Sequence, residues 1–265
     1  MTSPSMPRIC IVGAGAIGGL FGVRLARAGC AVSVIARGPT LAALRARGWV
    51  LESGGERVSA AVRAESDPAL LGVQDIVLLA VKAYALPELA PRLHPLLGPS
   101  TMVLPAVNGV PWWVPADGRN LASVDPAGSI AGAIPAGCVV GTVVYPSCSC
   151  PERGITRHAS GSRVVIGEPF AGRPPSRVGG LVSVLQAAGF EAEASTDIRV
   201  EVWKKLLGNA CFNPVSLLTG SATDLLIDDA RIHALFVSMM GEALAVGRAL
   251  GIDVPIDPAD RIALT

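Results

Sequence analysis

The chain has 265 residues, of which 51% are hydrophobic and 16% are charged. This balance excludes a disordered protein or a coiled coil, and a formal net charge of +1 gives no general electrostatic case for nucleic-acid binding. Apolar runs are broken by Gly, Pro or charge before the ~20 residues that a membrane-spanning helix needs, and residues 1–13 do not follow the order of a signal peptide. We therefore expect a soluble, cytoplasmic globular protein without nucleic-acid or membrane partners.

The six cysteines are scattered among apolar neighbours, as ordinary small hydrophobic residues would be. The one close pair, Cys148 and Cys150, has no second Cys/His cluster, whereas a structural zinc site usually needs four ligands. We therefore expect loop or core thiols and no bound metal. The other cysteines are Cys10, Cys30, Cys138 and Cys211.

Strand patterns alternate with helical patterns in the first part of the chain. Apolar runs rich in Ile, Val and Leu predict buried strands over residues 8–13, 30–37, 75–84 and 101–109. Helical patterns, the last of them broken by prolines, lie between these strands over residues 20–29, 39–48 and 86–97. This alternation indicates an α/β fold with a Rossmann-type, parallel, doubly wound sheet.

The pattern changes toward the C-terminus. From residue 139 to 168 two segments, CVVGTVVY and SRVVIGE, predict strands of antiparallel style, and residues 176–189 predict a helix. After Thr196 two long helical patterns follow with no convincing strand, so we place a dinucleotide-binding domain at residues 1–195 and an all-helical domain at residues 196–265. A final helix, with Asp257 as its N-cap, stops after about two turns, and we expect the helical domain to continue beyond the given chain.

A glycine fingerprint follows the first predicted strand and opens the first predicted helix. Gly13, Gly15 and Gly18 form GxGxxG, in which the first glycine permits a tight turn, the second lets a pyrophosphate approach and the third allows close helix–strand packing. The amide donors and the dipole of the helix N-terminus favour an anion there. The alternative is a glycine-rich turn without a ligand. We predict a dinucleotide site formed by Gly13, Ala14, Gly15, Ala16, Ile17 and Gly18.

The residue at the end of the second strand indicates which cofactor is used. NAD enzymes generally have Asp or Glu there to bind the ribose 2′-hydroxyl, but this chain has Arg37, nineteen residues after Gly18. An arginine can bind a 2′-phosphate by forked, charge-assisted hydrogen bonds. We therefore predict NADPH rather than NADH, the alternative being an arginine that faces solvent.

Lysine and asparagine are scarce, which makes their positions informative. Of 22 basic residues only three are lysines, and there are four asparagines. Lys82 lies at the C-terminal end of the predicted strand DIVLLAV, and Asn108 lies at the corresponding end of the next strand, TMVLPAV. Ligands bind at this edge of an open α/β sheet. The alternative for Asn108 is a plain turn, because Asn-Gly is a common turn pair.

A second polar group lies on the first long helix of the C-terminal region. Lys205, Asn209 and Asn213 are spaced i, i+4 and i+8, so they form one stripe on an otherwise apolar helix, with Lys204 rotated about 100° away. Such a stripe is typical of a polar cleft. The alternative is an i,i+4 surface salt bridge between Glu201 and Lys205.

These motifs together resemble the ketopantoate reductase (2-dehydropantoate 2-reductase) family over essentially the whole chain. The resemblance rests on GAGAIGG, the arginine after the second strand, VKAY, VNG and VEVWKKLLGNACFNPVSLLTG. It implies reduction of ketopantoate to pantoate by NADPH, in the biosynthesis of pantothenate and coenzyme A. Lys205 would be the catalytic lysine and would also contact the substrate; Lys82 and Asn108 would contact cofactor and substrate; and Asn209 and Asn213 would bind the substrate.

Two departures from the family pattern keep alternatives open. Thr223 stands where the family has a further substrate-binding asparagine, and Trp112-Trp113 add aromatic bulk after Asn108. The family's C-terminal Ser and Glu site residues would follow Thr265. The alternatives are an NADPH-dependent reductase of another 2-oxo acid and a degenerate NADPH-binding protein. A homodimer is also plausible.

Overall fold

The computed structural model describes residues 6–115, 117–170 and 175–265. The strands in this part of the chain are β1 (Arg8–Val12), β2 (Ala31–Ile35), β3 (Trp49–Ser53), β4 (Glu56–Ala60), β5 (Arg63–Glu65), β6 (Ile76–Leu79), β7 (Met102–Pro105), β8 (Gly141–Val144), β9 (Ser147–Glu152), β10 (Ile155–Ser160), β11 (Arg163–Gly167) and β12 (Glu191–Ala194). The α-helices are α1 (Ala16–Arg27), α2 (Gly38–Arg47), α3 (Leu86–Leu89), α4 (Ser129–Ala133), α5 (Pro175–Ala187), α6 (Ile198–Thr219), α7 (Thr223–Asp228), α8 (Ala230–Ala249) and α9 (Pro258–Ala263). Short 3-10 helices cover Pro68–Leu70, Ala83–Ala85, Ala90–Leu96 and Ala136–Cys138.

The main sheet is parallel and is ordered β5-β2-β1-β6-β7. Its apolar strands are buried on both faces, as expected when helical crossovers cover a parallel sheet. Pairing continues past β7 through a parallel bridge between Val103 and Val139, which leads into β8. β8 is antiparallel to β11, and β11 is parallel to β12. The predicted Rossmann-type architecture is therefore confirmed.

A smaller sheet, ordered β4-β3-β10-β9, packs against α1. Strand β3 pairs in parallel with β10, although the two lie about a hundred residues apart in the chain. Gly19 and Gly22 of α1 face this sheet, and a Cβ at Gly22 would lie 2.6 Å from the indole of Trp49. These two glycines therefore let the small sheet approach the helix closely.

The C-terminal region described in the structure is helical, as predicted. The Asp197 carboxylate caps α6 by accepting hydrogen bonds from the Arg199 and Val200 amides. Trp203 on α6 donates its indole N–H to the Ala243 carbonyl on α8 at 2.9 Å. Buried side chains of both helices pack with one face of the main sheet in a single hydrophobic cluster. The boundary placed between residues 195 and 196 stays a prediction.

Several predicted element ends differ from the structure. The strand predicted over residues 75–84 ends at Leu79, and the one predicted over 101–109 ends at Pro105. Parallel pairing stops there: the last links are Ala80 N–H to Val12 O and Ala106 N–H to Leu79 O, both 2.9 Å. Lys82 and Asn108, predicted at the ends of these strands, therefore lie in the segments that follow them.

Candidate active site

A cleft of about 310 Å³ lies at the carboxyl edge of the main sheet, where β1 and β2 end and α1 begins. Gly15 is the N-cap of α1 and gives it no side-chain hydrogen bond, so the first amides of this helix are available to a ligand. The lining residues are Val12, Gly13, Ala14, Ile35, Ala36, Arg37, Thr40, Ser66, Pro68, Val81, Leu89 and Arg92.

The three fingerprint glycines are required for different reasons. Gly13 has a φ of +108°, and a Cβ there would lie 2.7 Å from Val81 and 2.8 Å from the Ala80 carbonyl oxygen. A Cβ on Gly18 would collide with the Gly13 carbonyl, so this glycine is needed for helix–strand packing. Around Gly15 there is open space, with only Ala80 O at 3.8 Å. The backbone at Gly13 and Gly18 thus leaves no room for a side chain, whereas the space in front of Gly15 is open. We call these three residues the glycine cradle; its open side fits a dinucleotide pyrophosphate.

Arg37 lines this cleft immediately after β2 and is exposed. It is the N-cap residue of α2, in an extended conformation, and Gly38 follows with a φ of +54°. Within the described ranges it makes no ion pair, so its guanidinium is available to an anionic ligand. Lys82 is exposed at the start of the 3-10 helix Ala83–Ala85 and does not belong to the described lining of this cleft or of the next.

A second, narrower cleft of about 20 Å³ lies between the loop after β7, strand β8 and helix α6. Lys205 is partly buried in it and donates hydrogen bonds to Asn108 Oδ1 at 2.8 Å and to the Val144 carbonyl. The lining residues are Val107, Asn108, Gly109, Thr142, Val143, Val144, Val202, Lys205, Leu206 and Asn209.

The Lys205 ammonium is held among apolar walls and neutral acceptors. Burial lowers the pKa of Lys205 to about 8, well below the usual range of a lysine. Its Nζ also lies 5.5 Å from the ring centroid of Tyr145, a cation–π distance. Such a lysine can release its proton near neutral pH, which an arginine cannot do.

The alternative of a surface salt bridge at Lys205 is wrong. Glu201 pairs instead with Lys204, at 2.8 Å, and Lys205 reaches across to the loop after β7. Asn209, one turn further along α6, lines the same cleft, whereas Asn213 is exposed and is not in its described lining. The structure thus brings Asn108, Lys205 and Asn209 together and leaves Asn213 at the outer end of the stripe.

Other polar and aromatic residues have roles that the sequence did not indicate. Thr142 lines the Lys205 cleft from β8, where an apolar strand pattern gave only a weak signal for it. Trp112 and Trp113 are buried and line a separate cavity with Phe170, so they do not narrow the Lys205 cleft. Asn120 donates to the Asp125 carbonyl at 2.7 Å and fixes a loop.

Cys10, Cys30, Cys148, Cys150 and Cys211 are free thiols. In the part of the chain that the structure describes, no group of three or more His, Cys, Asp or Glu side chains could hold a metal ion. Among the helices within the described ranges, none combines the length and the apolar character needed to cross a membrane.

The fingerprint glycines at the N-terminus of α1 and a partly buried lysine at the edge of the same sheet define a dinucleotide-dependent oxidoreductase. The ketopantoate reductase PanE/ApbA family model matches residues 9–169, and its C-terminal model matches residues 197–265. A 2-dehydropantoate 2-reductase from Mesorhizobium japonicum is 43% identical over 262 residues, covering 96% of this chain and 80% of that protein. The chain therefore belongs to the ketopantoate reductase family, as predicted, and is an oxidoreductase.

Solved structures agree with this assignment. A protein from Ralstonia solanacearum MolK2 assigned as a ketopantoate reductase is 44% identical, with a TM-score of 0.94 over 98% of this chain and 82% of that chain. A PanE/ApbA family ketopantoate reductase from Ralstonia eutropha JMP134 is 31% identical, with a TM-score of 0.80 over 97% of this chain and 79% of that one. Family membership and the Rossmann-type fold together imply a nicotinamide cofactor and a small-molecule substrate.

Proposed function

We propose that the protein reduces 2-dehydropantoate to pantoate with NADPH. The observation that supports this most directly is the partly buried Lys205 ammonium, hydrogen-bonded to Asn108 at the edge of the sheet that also forms the glycine cradle. The ketopantoate reductase relatives support this substrate, and Arg37 in the first cleft supports NADPH as the cofactor.

The residues of the first cleft fit the cofactor. The open space at Gly15 and the uncapped amides of α1 would bind the pyrophosphate, and Arg37 would bind the 2′-phosphate. When bound, the reduced nicotinamide supplies the hydride. Because Arg37 replaces the acid that an NAD enzyme generally has, the cleft does not repel a phosphate at that point.

Lys205 would stabilise the negative charge that develops on the substrate's ketone oxygen and then donate a proton to it. An ammonium group has three N–H donors, and two of them are taken by Asn108 Oδ1 and the Val144 carbonyl. The third is therefore available to the ketone oxygen. The two fixed acceptors also hold Nζ in one position, so the proton is delivered at a defined point.

The asparagines would position the substrate. Asn209 lines the Lys205 cleft and would bind the carboxylate or hydroxyl of the substrate, and Asn213 would contact its outer end. The amide of Asn108 has its oxygen on Lys205 and its NH₂ group available to the substrate. Lys82 lies on an exposed turn outside the described lining of both clefts, and its side chain would have to extend from that turn to contact the cofactor or the substrate.

The proposal is tested by measuring the oxidation of NADPH in the presence of ketopantoate. The readout is the loss of the absorbance of the reduced nicotinamide. Rapid oxidation that is much slower with NADH would support both the reaction and the role of Arg37. Tight NADPH binding without oxidation would retain the cofactor site and overturn the substrate assignment. The same proposal places the enzyme in pantothenate and coenzyme A biosynthesis. The cytoplasmic location, the homodimer and the two domains stay predictions.

One observation favours a second substrate. Thr223, the first residue of α7, stands at the position where the resemblance to the family leads us to expect a substrate-binding asparagine. Reduction of another 2-oxo acid would follow if that contact decides specificity. A panel of 2-oxo acids, compared by kcat/KM under identical conditions, distinguishes the two candidates.

A further inference from the structure

The first cleft contains a second arginine for which the fingerprint gives no role. Arg92 lies in the 3-10 helix Ala90–Leu96, which follows β6, whereas Arg37 follows β2. In the main sheet β2 and β6 flank β1 on opposite sides. Because both arginines line the same cleft beyond the end of β1, they approach it from its two sides.

Both arginines lack an acidic partner within the described part of the chain. Glu65, which ends β5 next to the cleft residue Ser66, is already paired with Arg45 at 2.6 Å and with Arg63 at 3.6 Å. The described lining of the cleft contains no Asp or Glu. The cleft therefore presents two uncompensated positive charges to a ligand of modest size.

Arg92 has no evident structural task that would explain its position. It is exposed, and the adjoining Leu93 is fully buried and holds this segment against the core. Leu93 and a hydrogen bond from the Gln74 amide to the Leu96 carbonyl thus hold the segment in place without Arg92, and its guanidinium is free to bind a ligand. An arginine in this setting can form a forked pair with a phosphate.

We propose that Arg92 is a specificity-determining residue that binds the 2′-phosphate of the cofactor together with Arg37. The inference rests on the proposed use of NADPH. A phosphate monoester dianion presents three oxygens, enough for two guanidinium groups, and the hydroxyls of Thr40 and Ser66 line the same cleft. NADH has only a hydroxyl at that position, so Arg92 adds to its binding much less.

The test is direct binding of NADPH and of NADH, measured by calorimetry in the absence of ketopantoate. Arg92→Ala should raise the Kd for NADPH about tenfold or more and change the Kd for NADH by less than about twofold. Arg92→Lys, which keeps the charge but loses the fork, should fall between wild type and Arg92→Ala. Arg27→Ala is the matched control, because Arg27 is an exposed arginine at the C-terminal end of α1. Along the helix axis this end lies roughly 18 Å from the N-terminal end, which is the end at the cleft.

The outcomes separate the two proposals. If wild-type protein binds NADPH no more tightly than NADH, the cofactor assignment fails, and this inference with it. If wild type prefers NADPH and Arg37→Ala removes the preference while Arg92→Ala leaves it intact, only the role of Arg92 is overturned. Equal weakening of both cofactors by Arg92→Ala also overturns it, since the arginine would then act on the part that they share.

Discussion

Lys205 Nζ donates a 2.8 Å hydrogen bond to Asn108 Oδ1, although 97 positions separate the two residues in the chain. Lys205 belongs to α6, whereas Asn108 lies in the loop after β7, so this contact joins the helical region to the edge of the main sheet. Strand β8, which lies between the two residues in the chain, supplies the second acceptor, the Val144 carbonyl. Three separate segments therefore fix the position of one ammonium group.

The first prediction concerns the two adjacent lysines of α6. Lys205→Ala should reduce turnover at least tens of fold and leave NADPH binding nearly unchanged, because the side chain would act on the ketone oxygen. Lys204→Ala is the matched control: Lys204 pairs with Glu201 and should leave turnover within about twofold of wild type. Steady-state rates together with calorimetric Kd values provide the measurement. A loss below about threefold for Lys205→Ala would remove Lys205 from the chemistry.

The pH dependence of the reduction should report the pKa of Lys205. Proton donation requires the charged ammonium, and its pKa is about 8, so the rate should be constant below that pH and fall about tenfold per pH unit above it. An unperturbed lysine would hold the plateau to about pH 10. A profile of kcat/KM across this range is the measurement. A plateau that extends well past pH 9 would contradict a buried proton donor.

Asn108→Asp should move the alkaline limb of this profile, the fall in rate above about pH 8, to higher pH. A carboxylate 2.8 Å from Nζ would stabilise the charged ammonium and oppose the effect of burial on the pKa. We expect the limb to shift by at least about one pH unit, at the cost of a lower maximal rate, because a more basic lysine is a weaker acid. Asn108→Ala serves as the control, since it removes the acceptor without adding charge. An unchanged limb in Asn108→Asp would show that another group governs the profile.

The glycine fingerprint allows ligand binding to be separated from stability. Gly15→Ala should leave the Tm close to wild type, because its Cβ meets only Ala80 O at 3.8 Å, but should weaken NADPH binding at least about tenfold. Gly18→Ala should instead lower the free energy of unfolding by about 1–3 kcal/mol, since its Cβ collides with the Gly13 carbonyl. Thermal unfolding and NADPH titration of both variants form the experiment. Unchanged binding in Gly15→Ala would mean that the pyrophosphate does not lie there.

The sequence was informative wherever a local pattern determines structure. Buried apolar runs located four strands of the main sheet, β1, β2, β6 and β7, and missed the short edge strand β5. The spacing of polar residues on α6 located the Lys205 stripe. The hairpins β3–β4 and β9–β10 were missed, because strands such as SCSCPE and ERVSA are largely exposed and have no buried apolar run. The parallel pairing of β3 with β10 depends on residues distant in the chain, which no local pattern specifies.

The candidate site could be predicted only in part for the same reason. Asn108 and Lys205 were each singled out, but their hydrogen bond is a property of the packed molecule. Arg92 lay in a proline-broken segment without a motif, so only its place in the cleft distinguishes it from the many other arginines. Strand ends were placed too far along the chain, because apolar residues continue after the hydrogen-bonded pairing has stopped.

The close approach of the small sheet to α1 has a cost in helix propensity. Alanine at an ordinary position inside a helix is favoured over glycine by roughly 1 kcal/mol, yet Gly19 and Gly22 both lie inside α1. At Gly22 the ring of Trp49 occupies the space of a methyl group, and Thr156 does so at Gly19. Replacing a helical glycine by alanine, which usually stabilises a helix, is therefore not possible at Gly19 or Gly22 without a steric clash. A protein engineer who seeks a more heat-resistant enzyme would have to leave these two positions alone.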